Sequence, residues 1–482
     1  MRTNAQRLQR SFASSFIFVS SILFSAPAAN AQAQYASTTG WGSYYKLFAV
    51  DSPWNSRPIR PLLGTEPIQK PLYNPTWVPT VGSGALSLEV FKADADDGPM
   101  KVHGKPGTGG VGDPDVGGYR SYITMPRWPV GVTPASGGDG HCDIVDTVTG
   151  IVHSFYQLKY INGKWTASMY SWSRVDGRGW GDADHWSQGA RASGVPPSGG
   201  LIRKHEIADG AAYYNHALAM SLPAHTLANG LTAPSYIYPA TTADNFAATN
   251  TGKIPLGARL MLPESFDTST LTTTALRKVA NTLKRHGAYV VDSNYDTAFS
   301  IYVENGTNYS LMPNGWDENI VRGLEQIRAA LRQVIDAEEW VDGDGKSKGG
   351  PKKSGLLSMR GVWMESGGTA AGKGKFDSWQ QAIVFPTTAT KLTQINYTNG
   401  LSAVSWSKPA NNAAMRFAAV TQGGARIRIK IMSGPFVEFD SGFLNNGVSV
   451  TFKWPHKASS IILAAESGVN TASQARGVLT EE

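Results

Sequence analysis

Apolar and polar positions alternate most plainly between Asp139 and Tyr160, DGHCDIVDTVTGIVHSFYQLKY. Two runs rich in Val, Ile, Phe and Tyr flank the turn-like Thr147-Val148-Thr149-Gly150, a pattern that predicts a β-hairpin. Pairing Thr147 with Gly150 sets His141 opposite Tyr156 and Asp143 opposite Ser154. Alternate residues of a strand point the same way, so these four share one face, while Cys142, Ile144, His153 and Phe155 share the more apolar other. One hairpin then presents an imidazole, a phenol, a carboxylate and a hydroxyl together. The plainer reading is a half-exposed hairpin whose polar face meets water.

The same reading predicts short strands at Ser87–Phe91, Lys164–Trp172, Tyr213–Met220, Ala288–Asp292 and Phe299–Glu304. Two segments read as helices. Leu276, Val279, Ala280 and Leu283 make an apolar stripe within Thr272–His286, with Gly287 as its stop. Ile320, Leu324, Ile327, Leu331, Val334 and Ile335 make another over 317–339, capped by Asp317. From about Ser358 the pattern changes to six short strand candidates, spaced like those of an immunoglobulin or fibronectin sandwich. The tail after Gly468 reads as disordered. The expected fold is therefore β-rich, all-β to α+β. A sandwich- or jelly-roll-like main domain over 45–340 carries two helices, a polar Gly/Lys-rich linker spans 341–355, and a small β-sandwich occupies 390–468.

The first 31 residues change the picture of where the protein works. Arg2, Arg7 and Arg10 precede an apolar run from Phe12 to Phe24, and Ala29-Asn30-Ala31 supplies a small-x-small cleavage pattern. This predicts a secreted or periplasmic protein cleaved after Ala31, with no membrane span. Removing three arginines and no acid from a formal +7 leaves +4, with the basic residues scattered, which disfavours nucleic acid as a partner. A lone cysteine, Cys142, excludes an intrachain disulfide, so burial alone must stabilise the fold. Glycine (52), tryptophan (14) and tyrosine (18) are plentiful and only 17% of residues are charged, which suits a secreted β-protein that meets sugar rings.

Several catalytic machines are excluded. There is no G-x-S-x-G elbow, no C-x-x-C pair, and no dinucleotide fingerprint in a βαβ context. His205-Glu206 opens like H-E-x-x-H, but residue 209 is Asp. No cofactor is expected; His141, Asp143 and His216 could ligate a metal, yet their spacing carries no signature. What remains is glycan cleavage, with an extracellular polysaccharide as partner. A hydrolase needs two carboxylates, and Asp143, Asp146, Asp182, Asp184, Asp292 and Glu304 supply candidates without selecting a pair. A lyase needs a base, a proton donor and a cation for the uronate. His141 facing Tyr156, near Lys159, Arg174 or Arg178, suits β-elimination best, with Asp143, His216 and Asp292 expected in the same cleft. Trp180, Asp182, Asp184, His185 and Trp186, crowded into one glycine-rich loop, are the expected substrate contacts; buried tryptophans in a folded surface loop are the alternative. A sugar-binding protein or adhesin, or a structural envelope protein, stays open beside the enzyme.

Gly138-Asp139-Gly140-His141, then His216-Ala217-Leu218, then Gly287-Ala-Tyr-Val-Val-Asp292 resembles the pattern of a group of secreted bacterial proteins over residues 50–305. The resemblance implies a secreted domain of catalytic size and brings no activity or site residues with it.

Overall fold

A computed structural model describes residues 40–74, 77–113, 118–181, 188–231, 233–295, 297–347, 364–365, 375–377, 382–395, 411–458 and 460–481. The hairpin forms in the register that the alternation predicts: Cys142 pairs with Phe155, Asp143 with Ser154 and Asp146 with Ile151. Its strands, Cys142–Asp146 and Ile151–Tyr156, sit second and third in a six-stranded sheet between Val90–Ala93 and Met169–Arg174. Cys142, Ile144 and Phe155 turn to a cluster shared with Val102, Met125 and Ala167 of a four-stranded sheet. Val145 and Val152 turn the opposite way, into the largest core. The hairpin is thus covered on both sides. His141, Asp143 and Ser154 are buried rather than half-exposed, because the chain at Ser198 closes over their face and gives its amide to Asp143.

That largest core belongs to a seven-stranded mixed sheet, ordered Arg57–Leu63, Arg332–Val341, Arg259–Met261, Ala288–Asn294, Leu218–Pro223, Ser300–Tyr302 and Thr80–Gly82. Two α-helices, Thr274–Arg285 and Glu318–Ala330, bury their predicted stripes in it. Thr273 caps the first by accepting from the Leu276 amide, and Asp317 caps the second by accepting from Asn319. Gly287, with φ of 71°, ends the first helix and feeds straight into the Ala288–Asn294 strand. Each fully buried Leu, Ile or Val along these stripes contributes about 1.5–3 kcal/mol relative to exposure.

Three expectations need correction. The second helix stops at Ala330, and Arg332–Val341 is a ten-residue strand paired with Arg57–Leu63. Val334 and Ile335 extend the helical stripe in sequence, but Leu331 turns to extended backbone and the pairing takes over. Residues 213–217 are not strand; the strand begins at Leu218. The predicted Lys164–Trp172 strand is two strands, broken at Ser168 so that Lys164–Ala167 joins the four-stranded sheet and Met169–Arg174 the six-stranded one.

Toward the C-terminus, two five-stranded sheets pack face to face as a β-sandwich. Phe417, Ile383 and Leu479 of one sheet meet Ile427, Ile429 and Leu463 of the other in a common core. The tail is ordered: Ser473–Glu481 pairs with Ala414–Gln422 over eight residues, with Ala475 and Leu479 turned inward. This strand and Ala382–Phe385 lie outside the expected 390–468, and residues 348–355 of the expected linker lie outside the described residues. The fold is β-rich, with two α-helices among the described residues, neither long and apolar enough to cross a membrane.

Candidate active site

Asp139-Gly140-His141 enters the hairpin at its open end. Gly140 adopts φ of 45°, and its backbone lies so close to Gln157 and Leu158 that a Cβ there would stand 3.0 Å from the Leu158 carbonyl oxygen. The Gln157 amide donates to Asp139 O at 2.7 Å and the Leu158 amide to Gly140 O at 3.0 Å. This clamp sets the His141 ring 5.8 Å from the Tyr156 ring, centroid to centroid. His141 is only 2% exposed, and burial together with the charge of Arg191 pushes its pKa well below the usual imidazole range. It is a neutral ring, with Nδ1 unpartnered among the described residues.

Arg191 comes from a loop folded tightly on itself. Its amide donates to Val195 O, Gly194 returns a bond to Arg191 O, and Ser193 N docks on Val291 O of the neighbouring strand. Gly194, at φ of 84°, presses against Thr241, where a Cβ would fall 2.0 Å from Oγ1. The guanidinium, 2% exposed, donates from Nη1 to Asp292 Oδ2 at 3.2 Å and from Nη2 to Leu86 O at 3.1 Å, and lies 4.1 Å over the Tyr302 ring.

Asp292 stands where the parallel pairing of Leu218–Pro223 with Ala288–Asn294 slips: Met220 pairs with Val290 but Ser221 with Asp292. The bulge re-aims the carboxylate, a role bulges often serve near sites. Burial pushes the Asp292 pKa up to about 7; Arg191 opposes this, while the negative charges of Asp244 and Asp139 add to it. Asp244 is itself pushed up by burial and by Asp139. Tyr156, partly exposed, is raised by burial and by Asp139, Asp292 and Asp244. Behind them Asp143 is fully buried, accepts the Ser198 amide at 2.8 Å, and is pushed by burial up to about 6. Three partly exposed aspartates and a phenol thus share one field, backed by a buried Arg191.

Of the residues expected in one cleft, His141, Asp143, Tyr156 and Asp292 are brought together around Arg191. His216 is not. It lies before the opposite end of the same strand pair, with Nε2 3.2 Å from Glu206 and Nδ1 on Ala217 O at 2.9 Å. The trio His141, Asp143 and His216 therefore forms no metal site, and no group of three or more ligating side chains does so among the described residues. Trp180 is core rather than substrate platform: 1% exposed, it stacks on Trp54 at 4.7 Å. Arg174 is tied to Asp176 and Arg178 donates to the Tyr238 hydroxyl. Lys159 belongs to an exposed strand of the four-stranded sheet. Asp182, Asp184, His185 and Trp186 lie outside the described residues. Asp139, Arg191 and Asp244 were not nominated from sequence. Asp139 borders the alternating hairpin, but Arg191 and Asp244 come from loops without periodicity.

No protein-family model and no curated protein matches the chain. Three solved structures illustrate the likenesses found. A chain of the accessory secretory protein 1, 2 and 3 structure from Streptococcus pneumoniae is 12% identical, over 25% of this chain and 93% of that one, with a TM-score of 0.19. A chain of the glycosylation-associated Gap123 complex from Streptococcus agalactiae is 11% identical over 25% of this chain and 44% of that one, at 0.19. A family 29 carbohydrate-binding module complexed with cellulohexaose is 11% identical over 25% and 87%, at 0.16. Likenesses of this size carry no argument about the site.

Proposed function

We propose that the cluster around Asp292 is the catalytic centre of a secreted polysaccharide-cleaving enzyme that acts by hydrolysis. What carries this reading is the placement of Asp292, whose pKa burial pushes up to about 7, in one field with the carboxyl groups of Asp139 and Asp244 at a partly exposed site. Glycoside hydrolysis needs that division of labour: one acid that keeps its proton, and one carboxylate that acts as base or nucleophile. Asp292 would give its proton to the glycosidic oxygen as the bond to the anomeric carbon breaks. Asp139 or Asp244 would take a proton from the water whose oxygen adds to that carbon. Arg191, bonded to Asp292, stabilises the carboxylate left behind.

Elimination by His141 and Tyr156 is less well supported by this geometry. His141 lies beneath the surface, and burial and the three aspartates raise Tyr156, which leaves less of the phenolate that would take the α proton. A uronate entering here would meet those aspartates, while Arg191 is already engaged by Asp292 and Leu86. A neutral sugar at the scissile bond fits better.

The test is a panel of neutral and uronate-containing polysaccharides, scored for reducing ends and for the ultraviolet absorbance of unsaturated products. Reducing ends without absorbance, reduced about 10²–10⁴-fold in Asp292→Asn, are the expected result. Absorbance would transfer the case to elimination. Binding with neither signal would make the protein a sugar binder.

A further inference from the structure

At the His216 end of the strand pair lies a cavity of about 640 Å³ whose lining includes none of Asp292, Asp139, Asp244 and Tyr156. His286, on its wall, and Asp292 are six residues apart along nearly continuous strand, roughly 20 Å at about 3.3 Å per residue. The cavity is in the size range of small-ligand sites, and Trp41, Tyr45 and Tyr213 line it.

Its charges are arranged unusually. Arg57 and Arg285 both line it, and neither has a hydrogen-bonded or ion-paired acid among the described residues. Arg285 rests its guanidinium 4.6 Å over Tyr213, with Nε buried and unpartnered. His286 is 1% exposed, and both its ring nitrogens lack partners among the described residues. A third guanidinium, Arg259, stands behind them, spent on His286 O, Ser56 O and the Tyr289 hydroxyl. Burial and the charge of Arg259, with His216, Arg285 and Arg57 adding, push His286 down to about 2. It is neutral, with one N–H to give.

Acids are present in the same cavity but committed elsewhere. Glu206 holds His216 and the Arg203 amide, and Asp209 holds Lys278. Asp342 accepts backbone amides of its own turn, and Asp344 accepts the Trp41 indole. The C-terminus of the Thr274–Arg285 helix accounts for one cation nearby, since its carbonyls favour positive charge. It does not account for two unpaired arginines meeting beside an unsatisfied buried imidazole. Like charges repel, and a buried donor without an acceptor costs about 1–3 kcal/mol.

We infer that this cavity is a binding site for an acidic sugar, whose carboxylate or sulfate is held by Arg57 and Arg285 with the His286 ring behind. The aromatic wall suits the apolar face of the ring, and guanidinium pairs grip planar or tetrahedral oxyanions with several parallel bonds. Both arginines also line an adjoining open cavity of about 690 Å³, so an anionic chain longer than one sugar has room to continue.

The test is calorimetric titration of the full secreted chain with glucuronate, glucose 6-sulfate and glucose. Saturable binding of at least one acidic sugar is expected, weakened about tenfold or more in Arg57→Gln and in Arg285→Gln, with no saturable binding of glucose. Whichever acidic sugar binds identifies the oxyanion. Arg57→Gln breaks no side-chain hydrogen bond or ion pair among the described residues and relieves the repulsion from Arg285, so its unliganded melting temperature should stay level or rise, which separates lost binding from lost fold. Failure of both acidic sugars to bind, equal affinity in the variants, or equal binding of glucose would overturn the inference. Because the centres are separate, any of these results leaves the reading of Asp292 untouched.

Discussion

His216 and Asp292 stand at opposite ends of one parallel strand pair, in which Leu218 pairs with Ala288 and Ser221 with Asp292. The sheet therefore separates two clusters of titratable groups that the sequence invites one to merge. One end gathers three aspartates and a phenol around a buried arginine. The other gathers a histidine–glutamate pair with two arginines and an imidazole that find no hydrogen-bond or ion-pair partner among the described residues. Each end makes its own predictions.

At the Asp292 end, the proposed general acid must carry its proton to act. Its pKa is raised to about 7, so the active fraction falls as pH rises through that value. Glycan cleavage should show an alkaline limb near pH 7 in kcat/KM. Any residual activity of Asp292→Asn should lack that limb. A limb that persists unchanged in the variant would remove Asp292 from the acid role.

Arg191 lowers the Asp292 pKa by its charge while burial raises it. Replacing Arg191 with Met, of similar shape and no charge, should move the alkaline limb upward by about 1–3 units. It should also cost about 1–3 kcal/mol of stability in urea melts, because Asp292 and the Leu86 carbonyl lose their buried donor. An unmoved limb with the stability loss alone would make Arg191 a packing residue.

Gly200 tests the frame that both ends share. It has φ of 68°, and a Cβ there would stand 2.4 Å from Trp54 Cζ3 and 2.6 Å from Ala219 N. Ala219 donates to Gly200 O, so neither backbone can retreat cheaply. Gly200→Ala should lose about 2–4 kcal/mol by strain and overpacking. A neutral melting curve would mean that the Trp54–Trp180 stack slides more easily than its burial suggests.

Much of this frame was legible. The hairpin register followed from Thr147 and Gly150, because a short turn fixes the pairing of the strands on either side of it. The Thr274–Arg285 helix followed from its stripe and its glycine stop. Arg332–Val341 was not legible as strand, since Val334 and Ile335 satisfy helix and strand alike and only the partner Arg57–Leu63, far away in sequence, decides. Ser473–Glu481 was missed for a similar reason: its inward Ala475 and Leu479 are too sparse to announce a core. The site was half legible. Tyr156, Asp143 and Asp292 lie on strands whose periodicity shows and His141 immediately precedes one, whereas Arg191 reaches Asp292 across 101 residues by loop closure, which no local pattern records. Trp180 misled because a glycine-rich loop hides its stacking partner, Trp54, 126 positions earlier in the chain.

At the other end, Glu206 and His216 make a pair with side chains about one-sixth exposed, 16% and 15%. Burial alone would raise Glu206, but the His216 charge and hydrogen bonds outweigh it and hold the carboxyl down to about 2. Burial alone would lower His216, but Glu206 outweighs it and raises the imidazole above its usual range. The two shifts set a pH window. A depressed carboxyl stabilises the fold above its unfolded pKa of about 4.3, and that stability is lost as pH falls through about 2. A raised histidine stabilises it below its unfolded pKa of about 6.5, and that stability is lost as pH rises through the folded value. The pair therefore contributes most between about pH 4.5 and 6.5. Glu206→Gln should cost about 3 kcal/mol at pH 6. As pH rises from 6 toward 9 the cost should shrink by the share that the His216 charge carries, toward about 1 kcal/mol for the remaining hydrogen bonds. Urea melts of both proteins across that range measure the difference directly. An equal loss at pH 6 and pH 9 would show that Glu206 holds the Arg203 turn by its geometry alone and that His216 carries no charge in the fold.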